Sequence, residues 1–508
     1  MEKRVRLRFA PSPTGGLHLG GVRTVLYNYL FAKKHQGDFI VRIEDTDQSR
    51  YVQGAEDYIF DTLQWCGLNP DESTKHGGPA GPYRQSERKE SYRKYAEELV
   101  NRGMAYYAFD TAKELDDMRA HQRTDANPNP QYDHAIRGTM RNSTVMPPNE
   151  VEQLIANGTP HVIRIKMPVG ETLTFTDMIR GDISFSTSTI DDKVLLKADG
   201  MPTYHLAVVV DDHLMEISHA FRGEEWLPSA PVHILLWQHL FGLDAMPQWA
   251  HLPLILGPNG KLSKRDGAKY GFPVFSMNWT DPRTGELTEG FKERGFLPEA
   301  FINMLAMLGW NDGTEQELFS LEELIEKFSI EKVHKGGAKF DFDKAKWFNH
   351  EWLKKLPASR YKDQVKESFA KRSIVISDDS YFEKVLDLVK DRCTLIDEFY
   401  ENSEFFFKAP LQYDTAAIQV KWNKEKENFF HSFITALSGT SSWEVPVIET
   451  LFKQLAATSG IKAGELQLSL RIMLVGGRFG PGVFDIIEVL GKHEATARMR
   501  TALSRFDF

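Results

Sequence analysis

Hydrophobic and polar residues follow clear periods in the first fifty positions. From Arg4 to Phe9 basic and apolar residues alternate, and prolines and glycines follow, which predicts a strand and a sharp turn. Apolar residues then recur on one helical face, at Val22, Val25, Leu26, Tyr29 and Leu30. A second strand is predicted from Phe39 to Ile43. This β-α-β unit favours a doubly wound parallel sheet, in which the turns at 10–21 and 44–50 face one site.

The pattern changes along the rest of the chain. Residues 104–190 contain Asn- and Pro-rich stretches and short strand-like runs such as 161–167, which indicate an inserted domain. The runs KVLLK and YHLAVVV within 193–213 are predicted as strands separated by a turn, and a helix and a further strand follow by residue 256. Beyond about residue 330 long helical patterns, such as 381–399 and 466–474, predict an all-α module.

Composition places the chain among multidomain globular proteins. Of its 508 residues, 41% are hydrophobic and 26% charged. Cys66 and Cys393 lie far apart without CxxC spacing, which excludes a cysteine-rich zinc cluster and a disulfide framework and predicts two buried free thiols. We find no pattern of a signal peptide or of a membrane-spanning helix, and therefore expect a cytoplasmic or matrix-like location with no membrane partner.

The net charge of −9 argues weakly against a protein covered in positive potential. Nucleic-acid binding depends on local charge, so the overall balance does not decide it. Between 471 and 505 there is a modest basic bias, carried by Arg471, Arg478, Lys492, Arg498, Arg500 and Arg505. Such a bias is more often a solvated helical face than a binding surface.

Three short motifs could carry chemistry. The turn Pro11–Gly21 precedes a helix whose N-terminus suits phosphate, with His18 beside it. The run Lys261–Arg265 could neutralise a triphosphate. Alone, the first is about as often an ordinary glycine-rich turn, and the second is more often a solvated basic turn. The third, 42–47, carries carboxylates suited to an ammonium group, while Arg8 and Arg222 could hold a free carboxylate.

Together the motifs HLGG and KLSK, about 240 residues apart, resemble the HIGH and KMSKS signatures of class I aminoacyl-tRNA synthetases. Longer stretches look like the glutamyl branch of that class, of bacterial or organellar type, from residue 5 to the C-terminal region. These stretches are RFAPSPTGGLHLGG, VRIEDTD, GPYRQSER, PTYHLAVVVDDH, RGEEWLPS, KLSKRDG and VGGRFGPGVFDIIEVLGK.

The resemblance implies a fold and a division into domains. It implies an α/β fold whose Rossmann-type catalytic domain occupies 1–103 and 191–270, with an inserted α/β domain at 104–190 that binds the acceptor end of tRNA. It also implies a stem-contact helical region at 271–335 and an α-helical anticodon-binding module at 336–508. The implied reaction is ATP-dependent ligation of L-glutamate to tRNA(Glu) through a glutamyl-adenylate.

The resemblance also implies roles for residues. Those expected to hold glutamate are Arg8, Ser12, Glu44, Tyr204 and Arg222. Those expected to bind ATP are His18, Gly20, Gly21, Trp226, Lys261, Ser263, Lys264 and Arg265. Among these, His18, Lys261 and Lys264 are expected to assist catalysis, with Mg²⁺ sharing the charge of ATP.

The chain departs from the family pattern in four places. Gly21 replaces the last histidine of HIGH, and Val208 stands where an asparagine is expected. Residues 106–134 contain no cysteine, so no zinc is expected. The stretch 277–294 is longer than expected and has no assigned role.

Three other functions agree less well with the sequence. A small-molecule nucleotidylyltransferase would explain neither the KLSK run nor the helical third. An enzyme that glutamylates a base within tRNA should lack the helical module, and a non-catalytic tRNA-binding protein should have lost His18 or the paired lysines. We expect a monomer that charges tRNA(Glu), and the sequence leaves open whether tRNA(Gln) is also a substrate.

Overall fold

The structure, a computed structural model, describes residues 4–125 and 127–506. Residues 1–3, 126 and 507–508, which the predicted domains include, lie outside the described residues. The chain divides into two compact units. The first comprises the described residues up to Phe291 together with Ile302–Asp341, and the second comprises Lys292–Phe301 together with the described residues from Phe342 onward.

The strands all lie in the first unit. They are β1 (Arg6–Phe9), β2 (Asp38–Val41), β3 (Ala105–Ala108), β4 (Val162–Ile165), β5 (Thr172–Asp177), β6 (Gly181–Ser186), β7 (Val194–Leu196), β8 (His219–Gly223), β9 (Gln248–Leu252), β10 (Ile255–Gly257), β11 (Gly260–Lys261), β12 (Trp279–Thr280), β13 (Leu287–Thr288) and β14 (Ala338–Lys339).

The first eleven helices begin before residue 330. They are α1 (Leu19–Lys34), α2 (Ala55–Trp65), α3 (Lys89–Asn101), α4 (Ala112–Gln122), α5 (His134–Arg137), α6 (Pro148–Ala156), α7 (Tyr204–Leu214), α8 (Ala230–Leu240), α9 (Lys264–Tyr270), α10 (Pro298–Met307) and α11 (Leu321–Lys327). The second unit adds α12 (Phe342–Lys355), α13 (Lys362–Lys371), α14 (Asp379–Val389), α15 (Glu398–Ser403), α16 (Lys424–Gly439), α17 (Val445–Thr458), α18 (Ala463–Val475) and α19 (Val483–Leu503).

The main sheet has the strand order β2-β1-β8-β9-β5-β6, and every neighbouring pair is parallel except β5 with β6. From β1 the chain crosses through α1 to β2 on one side, and from β8 through α8 to β9 on the other. The order therefore reverses between β1 and β8, the place where doubly wound sheets bind ligands. The predicted doubly wound α/β fold with a helical C-terminal module is confirmed.

Strand β1 is buried on both faces, although its alternation predicts one solvated face. Arg6 and Arg8 are 8% and 4% exposed. Arg6 pairs with Asp38 and Glu72 at 2.7 and 2.8 Å, and Arg8 pairs with Asp212 at 3.1 Å. Ion pairs satisfy the buried guanidinium groups, so a basic residue takes an inward position that binary patterning assigns to solvent.

The segment predicted as an inserted domain is divided between two sheets. Strands β3, β4 and β7 form a separate sheet, although β7 lies beyond the predicted boundary at 190. The hairpin β5–β6, inside that boundary, joins the main sheet through Asp177 opposite Trp249. Alternation of apolar residues predicts a strand but does not specify its partner, so the sequence did not indicate that these strands belong to two sheets.

The prediction of a strand at YHLAVVV is wrong, because these residues form helix α7. Leu206 to Asp212 are all buried, so apolar residues surround the helix and no polar stripe reveals its period. A short, fully buried run of β-branched residues has the same pattern in a helix as in a central strand.

The second unit is helical and has an aromatic core. Phe429, Phe433 and Phe452 lie with ring centres 5.1–6.1 Å apart between α16 and α17. Five of its six basic residues between 471 and 505 bind groups within the unit: Arg471, Lys492, Arg498 and Arg505 donate to backbone carbonyls, and Arg478 pairs with Asp414. The basic bias there is therefore largely structural.

Two further expectations from composition can be compared with the structure. Cys66 and Cys393 are free and buried, as predicted, and burial raises the pKa of both thiols. Within residues 4–125 and 127–506, no helix is long and apolar enough to cross a bilayer.

The turn between α1 and β2 offers a test of the packing. A Cβ added at Gly37 would lie 2.2 Å from the backbone oxygen of Val5, which also accepts the hydrogen bond from the Asp38 amide. We expect Gly37→Ala to lower the free energy of unfolding by about 1–3 kcal/mol, because the two strands must move apart. Gly336→Ala, where a Cβ meets no atom within 4 Å, is the control, and equal midpoints for both variants in thermal unfolding would contradict this packing.

Candidate active site

A cavity of about 660 Å³ lies at the carboxyl ends of β1 and β8. Twelve of the predicted site residues line it, and only Arg265 among the predicted residues is not in its wall. The twelve are Arg8, Ser12, His18, Gly20, Gly21, Glu44, Tyr204, Arg222, Trp226, Lys261, Ser263 and Lys264. The residues come from five separate stretches of sequence, which the fold brings together.

The glycine-rich turn ends at His18, the N-cap residue of α1. His18 forms an antiparallel bridge with Phe275, and the Leu19 amide donates to the carbonyl of Val274 at 3.0 Å. Desolvation by the cavity walls, followed by the positive charge of Lys261, lowers the pKa of His18. A neutral imidazole therefore stands at the helix N-terminus, where free amides and the helix dipole favour an anion.

The KLSK run extends from Lys261 at the end of β11 to Lys264 at the start of α9. Lys261 Nζ lies 3.2 Å from Glu225 Oε1, and Lys264 Nζ lies 4.9 Å from the ring centre of Phe275, the residue that bridges His18. Ser263 caps α9, with its amide and hydroxyl both donating to Asp266 at 2.9 and 2.7 Å. The two motifs that are remote in sequence thus meet around His18.

At the opposite end of the cavity, buried charges form a network around Arg42, which has no exposed surface. Arg42 donates to Glu44 at 3.0 Å and to Asp212 at 2.9 Å, and Asp212 accepts from Arg8 Nε and Nη2 at 3.1 and 3.3 Å. Burial raises the pKa of Glu44, with Arg42 and Arg8 opposing it. Burial also opposes ionisation of Asp212, but Arg8 and Arg42 lower its pKa. The charge of Arg8 is therefore balanced by the protein itself.

Arg222, in β8, has a different environment. It is 7% exposed, and its Nη1 donates to Tyr204 Oη at 3.1 Å while its Nε donates to His251 Nε2 at 2.9 Å. Its Nη2 is buried and has no hydrogen-bond partner among the described residues, which also place no carboxylate within ion-pair distance of Arg222. Because a buried unpaired charge is costly, an anion placed at Nη2 would stabilise this guanidinium.

Comparisons with known proteins agree with this geometry. A family described as "tRNA synthetases class I (E and Q), catalytic domain" matches residues 4–347, and one described as "Anticodon binding domain" matches residues 350–503. A glutamate–tRNA ligase of Flavobacterium psychrophilum is 52% identical, covering 99% of this chain and 100% of the relative. One of Amoebophilus asiaticus is 50% identical, covering 99% and 98%. The chain belongs to the glutamate–tRNA ligase family.

A solved structure supports the same assignment. The crystal structure of a glutamate–tRNA ligase from Elizabethkingia meningosepticum, in complex with its amino acid, is 46% identical to this chain. The two structures superpose with a TM-score of 0.91, and the match covers 100% of the crystallised chain and 99% of this chain. The similarity to a glutamate–tRNA ligase therefore extends over both compact units.

Two departures from the expected glutamate–tRNA ligase pattern have local explanations. A Cβ at Gly21 would stand 2.5 Å from Leu17 Cδ1, so a histidine there would require Leu17 to move. Val208 is 2% exposed in the core around α7 and is not among the residues that line the cavity. In this chain position 208 contributes to packing.

Trp226 lies against Tyr204 at the cavity rim, with ring centres 4.5 Å apart.

The stretch 277–294, to which the sequence assigned no role, packs behind the glycine-rich turn. It contains the short hairpin β12–β13, and the Met277 carbonyl accepts from Tyr58 Oη of α2 at 2.6 Å. A Cβ at Gly16 would approach the Trp279 ring to 2.8 Å. Gly16 is thus required for this close contact, and the hairpin supports the turn from outside the cavity.

The described residues contain no group of three or more His, Cys, Asp or Glu side chains that could hold a metal ion. The expectation that zinc is not bound remains a prediction. Mg²⁺ would enter as part of its complex with ATP, held by the phosphates.

Two partly buried histidines near the sheet predict acid sensitivity. Burial lowers the pKa of both His205 and His219 to about 4. An unfolded imidazole titrates near 6.5, so the unfolded chain binds more protons between pH 6.5 and 4, and stability falls as pH decreases through that range. We expect the thermal midpoint to drop over this interval, and to drop less in His219→Asn. An equal drop in both proteins would contradict the assignment to His219.

Proposed function

We propose that the cavity activates L-glutamate with ATP and transfers it to tRNA(Glu). The observation that carries this proposal is the buried Arg222 guanidinium, which has a free Nη2 and no carboxylate partner. A substrate with a side-chain carboxylate satisfies it. The remaining parts of the site are assigned from this fixed point.

The amino acid lies between Arg222 and Glu44 in this proposal. The side-chain carboxylate binds Arg222 Nη2 and Tyr204, the amino group faces Glu44, and Ser12 and Arg8 complete the pocket. Glutamine would bring an amide to a buried cation, which leaves part of the desolvation cost of Arg222 uncompensated. Discrimination against glutamine therefore depends on the unbalanced charge of Arg222, since Asp212 already pairs with Arg8.

The nucleotide occupies the other end. Gly20 and Gly21, in the first turn of α1, and His18 at its N-cap bind the phosphates, and Trp226 lies near the base. Lys261, Ser263 and Lys264, which line the cavity, bind the phosphates from the KLSK run. Mg²⁺ accompanies ATP as its counter-ion.

The chemistry needs no nucleophilic side chain. The α-carboxylate oxygen of glutamate attacks the α-phosphorus of ATP, the bond to the β-phosphate oxygen breaks, and pyrophosphate leaves as glutamyl-adenylate forms. A terminal ribose hydroxyl of tRNA then attacks the acyl carbon, AMP leaves with the bonding electrons, and the hydroxyl proton is released. Lysines stabilise the charge that develops on pyrophosphate, while the pocket aligns the reacting atoms.

The proposed enzyme contacts tRNA at two places. The acceptor end binds the region 104–190 and the anticodon loop binds the helical module at 336–508, within which residues 350–503 match the anticodon-binding family. That match favours a ligase over an enzyme that modifies a base in tRNA. We expect a cytoplasmic monomer that contains no zinc, and charging of tRNA(Gln) is open to measurement.

Aminoacylation with radiolabelled glutamate tests this function. The purified chain is given Mg·ATP and either tRNA(Glu), tRNA(Gln) or no tRNA. Charging of tRNA(Glu) is expected, and charging of tRNA(Gln) as well would identify a non-discriminating enzyme. A folded protein that charges neither tRNA would refute the proposal.

The two lysines of α9 provide a matched pair of variants. Lys264 lines the cavity, whereas Lys269 of the same helix lies over the Tyr270 ring and is not in the cavity wall. We expect Lys264→Ala to lower kcat by roughly a hundredfold or more, because one donor to the developing charge is lost. Lys269→Ala should retain near-normal kcat. Equal effects of the two substitutions on aminoacylation would exclude a phosphate-binding role for Lys264.

A further inference from the structure

The five N–H donors of Arg222 are used unequally. Nε donates to His251 Nε2 at 2.9 Å, and Nη1 donates to Tyr204 Oη at 3.1 Å and to His233 Nδ1 at 3.2 Å. The two hydrogens of Nη2 remain unused among the described residues. Three neutral acceptors thus hold the guanidinium, and none of them is a carboxylate.

The hydrogen bond that Arg222 donates determines which ring nitrogen of His251 carries the proton. A guanidinium can only donate, so His251 Nε2 must be the unprotonated nitrogen and the proton must lie on Nδ1. Nδ1 in turn donates to Asp177 Oδ2 at 2.6 Å. Asp177 is held in place by backbone amides, since it accepts from Ile179 and Arg180 at 3.0 and 2.9 Å and from the His251 amide at 3.1 Å.

His233 follows the same rule on the other side of Arg222. Its Nδ1 accepts from Arg222, so its proton lies on Nε2 and is donated to His205 Nδ1 at 3.2 Å. His233 and His251 are 1% and 0% exposed. Burial, followed for His233 by the positive charge of Arg222, lowers the pKa of both imidazoles and keeps them neutral.

His251, Asp177 and His233 belong to three elements that are separate in the sequence. His251 lies opposite Arg222 in the β8–β9 register, Asp177 ends β5, and His233 belongs to α8. The orientation of the guanidinium therefore depends on β9, β5 and α8 in addition to its own strand.

We propose that Asp177, His251 and His233 are positioning residues that orient Arg222 without neutralising its charge, and so determine selectivity for a carboxylate substrate. A carboxylate in the place of either imidazole would hold the guanidinium equally well. It would also balance the charge of Arg222, so a substrate anion would gain less from pairing with it. This inference rests on the proposed function, because it assigns the carboxylate of glutamate to Arg222 Nη2.

Two substitutions at one position separate orientation from packing. In His251→Gln the amide oxygen can take the place of Nε2, which retains an acceptor for Arg222 but loses the bond to Asp177. In His251→Asn the amide nitrogen can take the place of Nδ1, which retains the bond to Asp177 but loses the acceptor. Both variants remove buried ring volume and one hydrogen bond, so they should lose similar thermal stability.

The expected result is a difference in KM for glutamate, measured by aminoacylation of tRNA(Glu). His251→Asn should raise this KM roughly tenfold or more, as the loss of a hydrogen bond to a charged group implies, and His251→Gln should raise it less. KM for ATP should stay unchanged in both. If KM for glutamate instead follows thermal stability in the two variants, the inference is overturned.

Asp177→Asn provides a second route if an His251 variant does not fold. Its amide nitrogen would favour the reversed tautomer of His251, which places an N–H against Arg222 Nε, so KM for glutamate should again rise. Asp192→Asn is the control, because Asp192 is fully buried and binds Arg137 and Tyr106, away from the cavity. A comparable rise in KM for glutamate in Asp192→Asn would also overturn the inference.

The unaltered protein separates this inference from the function on which it rests. If it charges tRNA(Glu) but the variants fail to show the expected difference, only the positioning roles are refuted. If it does not charge tRNA(Glu), both the function and the inference fail.

Discussion

The proposed function of the cavity depends on one buried, positively charged arginine that pairs with no carboxylate among the described residues. Removing a guanidinium from water costs several kcal/mol, and the surrounding hydrogen bonds recover only part of that cost. Arg222 is held by two imidazoles and a phenol, so its orientation is fixed while its charge remains available. In the proposed function, an anion bound to Nη2 supplies the partner that this guanidinium lacks among the described residues.

The neighbouring Arg8 shows the alternative arrangement in the same cavity. It lies on β1, across the point where the sheet order reverses, but Asp212 pairs with it through both carboxylate oxygens. Arg42 then connects Asp212 to Glu44, so one buried network sets the positions of a cation and of the carboxylate proposed to face the amino group. One half of the pocket therefore contains arginines that are paired with carboxylates. The other half contains Arg222, whose charge has no such partner among the described residues.

Sequence patterns predicted the parts of this account that depend on local order. The β1-α1-β2 unit, the glycine-rich turn and the basic loop could be read because each has its own period or composition, and the cavity brings together twelve of the thirteen named residues. The patterns did not identify Asp177, His233, His251 or Asp212. His233 and His251 are each a single polar residue within an apolar run, and the partners of all four residues lie in other elements of the fold. The doublet Asp211–Asp212 inside YHLAVVVDDH was the one available signal, since buried carboxylates require partners.

The error at α7 has a related physical cause. A helix buried on all sides has no polar stripe to distinguish it from a central strand. The hydrogen bonds of Tyr204 and His205 depend on the positions of these residues in the helix, so the predicted strand did not indicate them. Likewise, the addition of the hairpin β5–β6 to the main sheet, which carries Asp177 to His251, depends on tertiary pairing that the sequence does not indicate.

The central claim concerns the ligand of Arg222, and a crystal structure with L-glutamate bound tests it most directly. The account predicts a side-chain carboxylate oxygen at about 2.7–2.9 Å from Arg222 Nη2, with the amino group directed toward Glu44. Glutamate bound with its side-chain carboxylate on another cation, and with Arg222 Nη2 still without a partner, would contradict it.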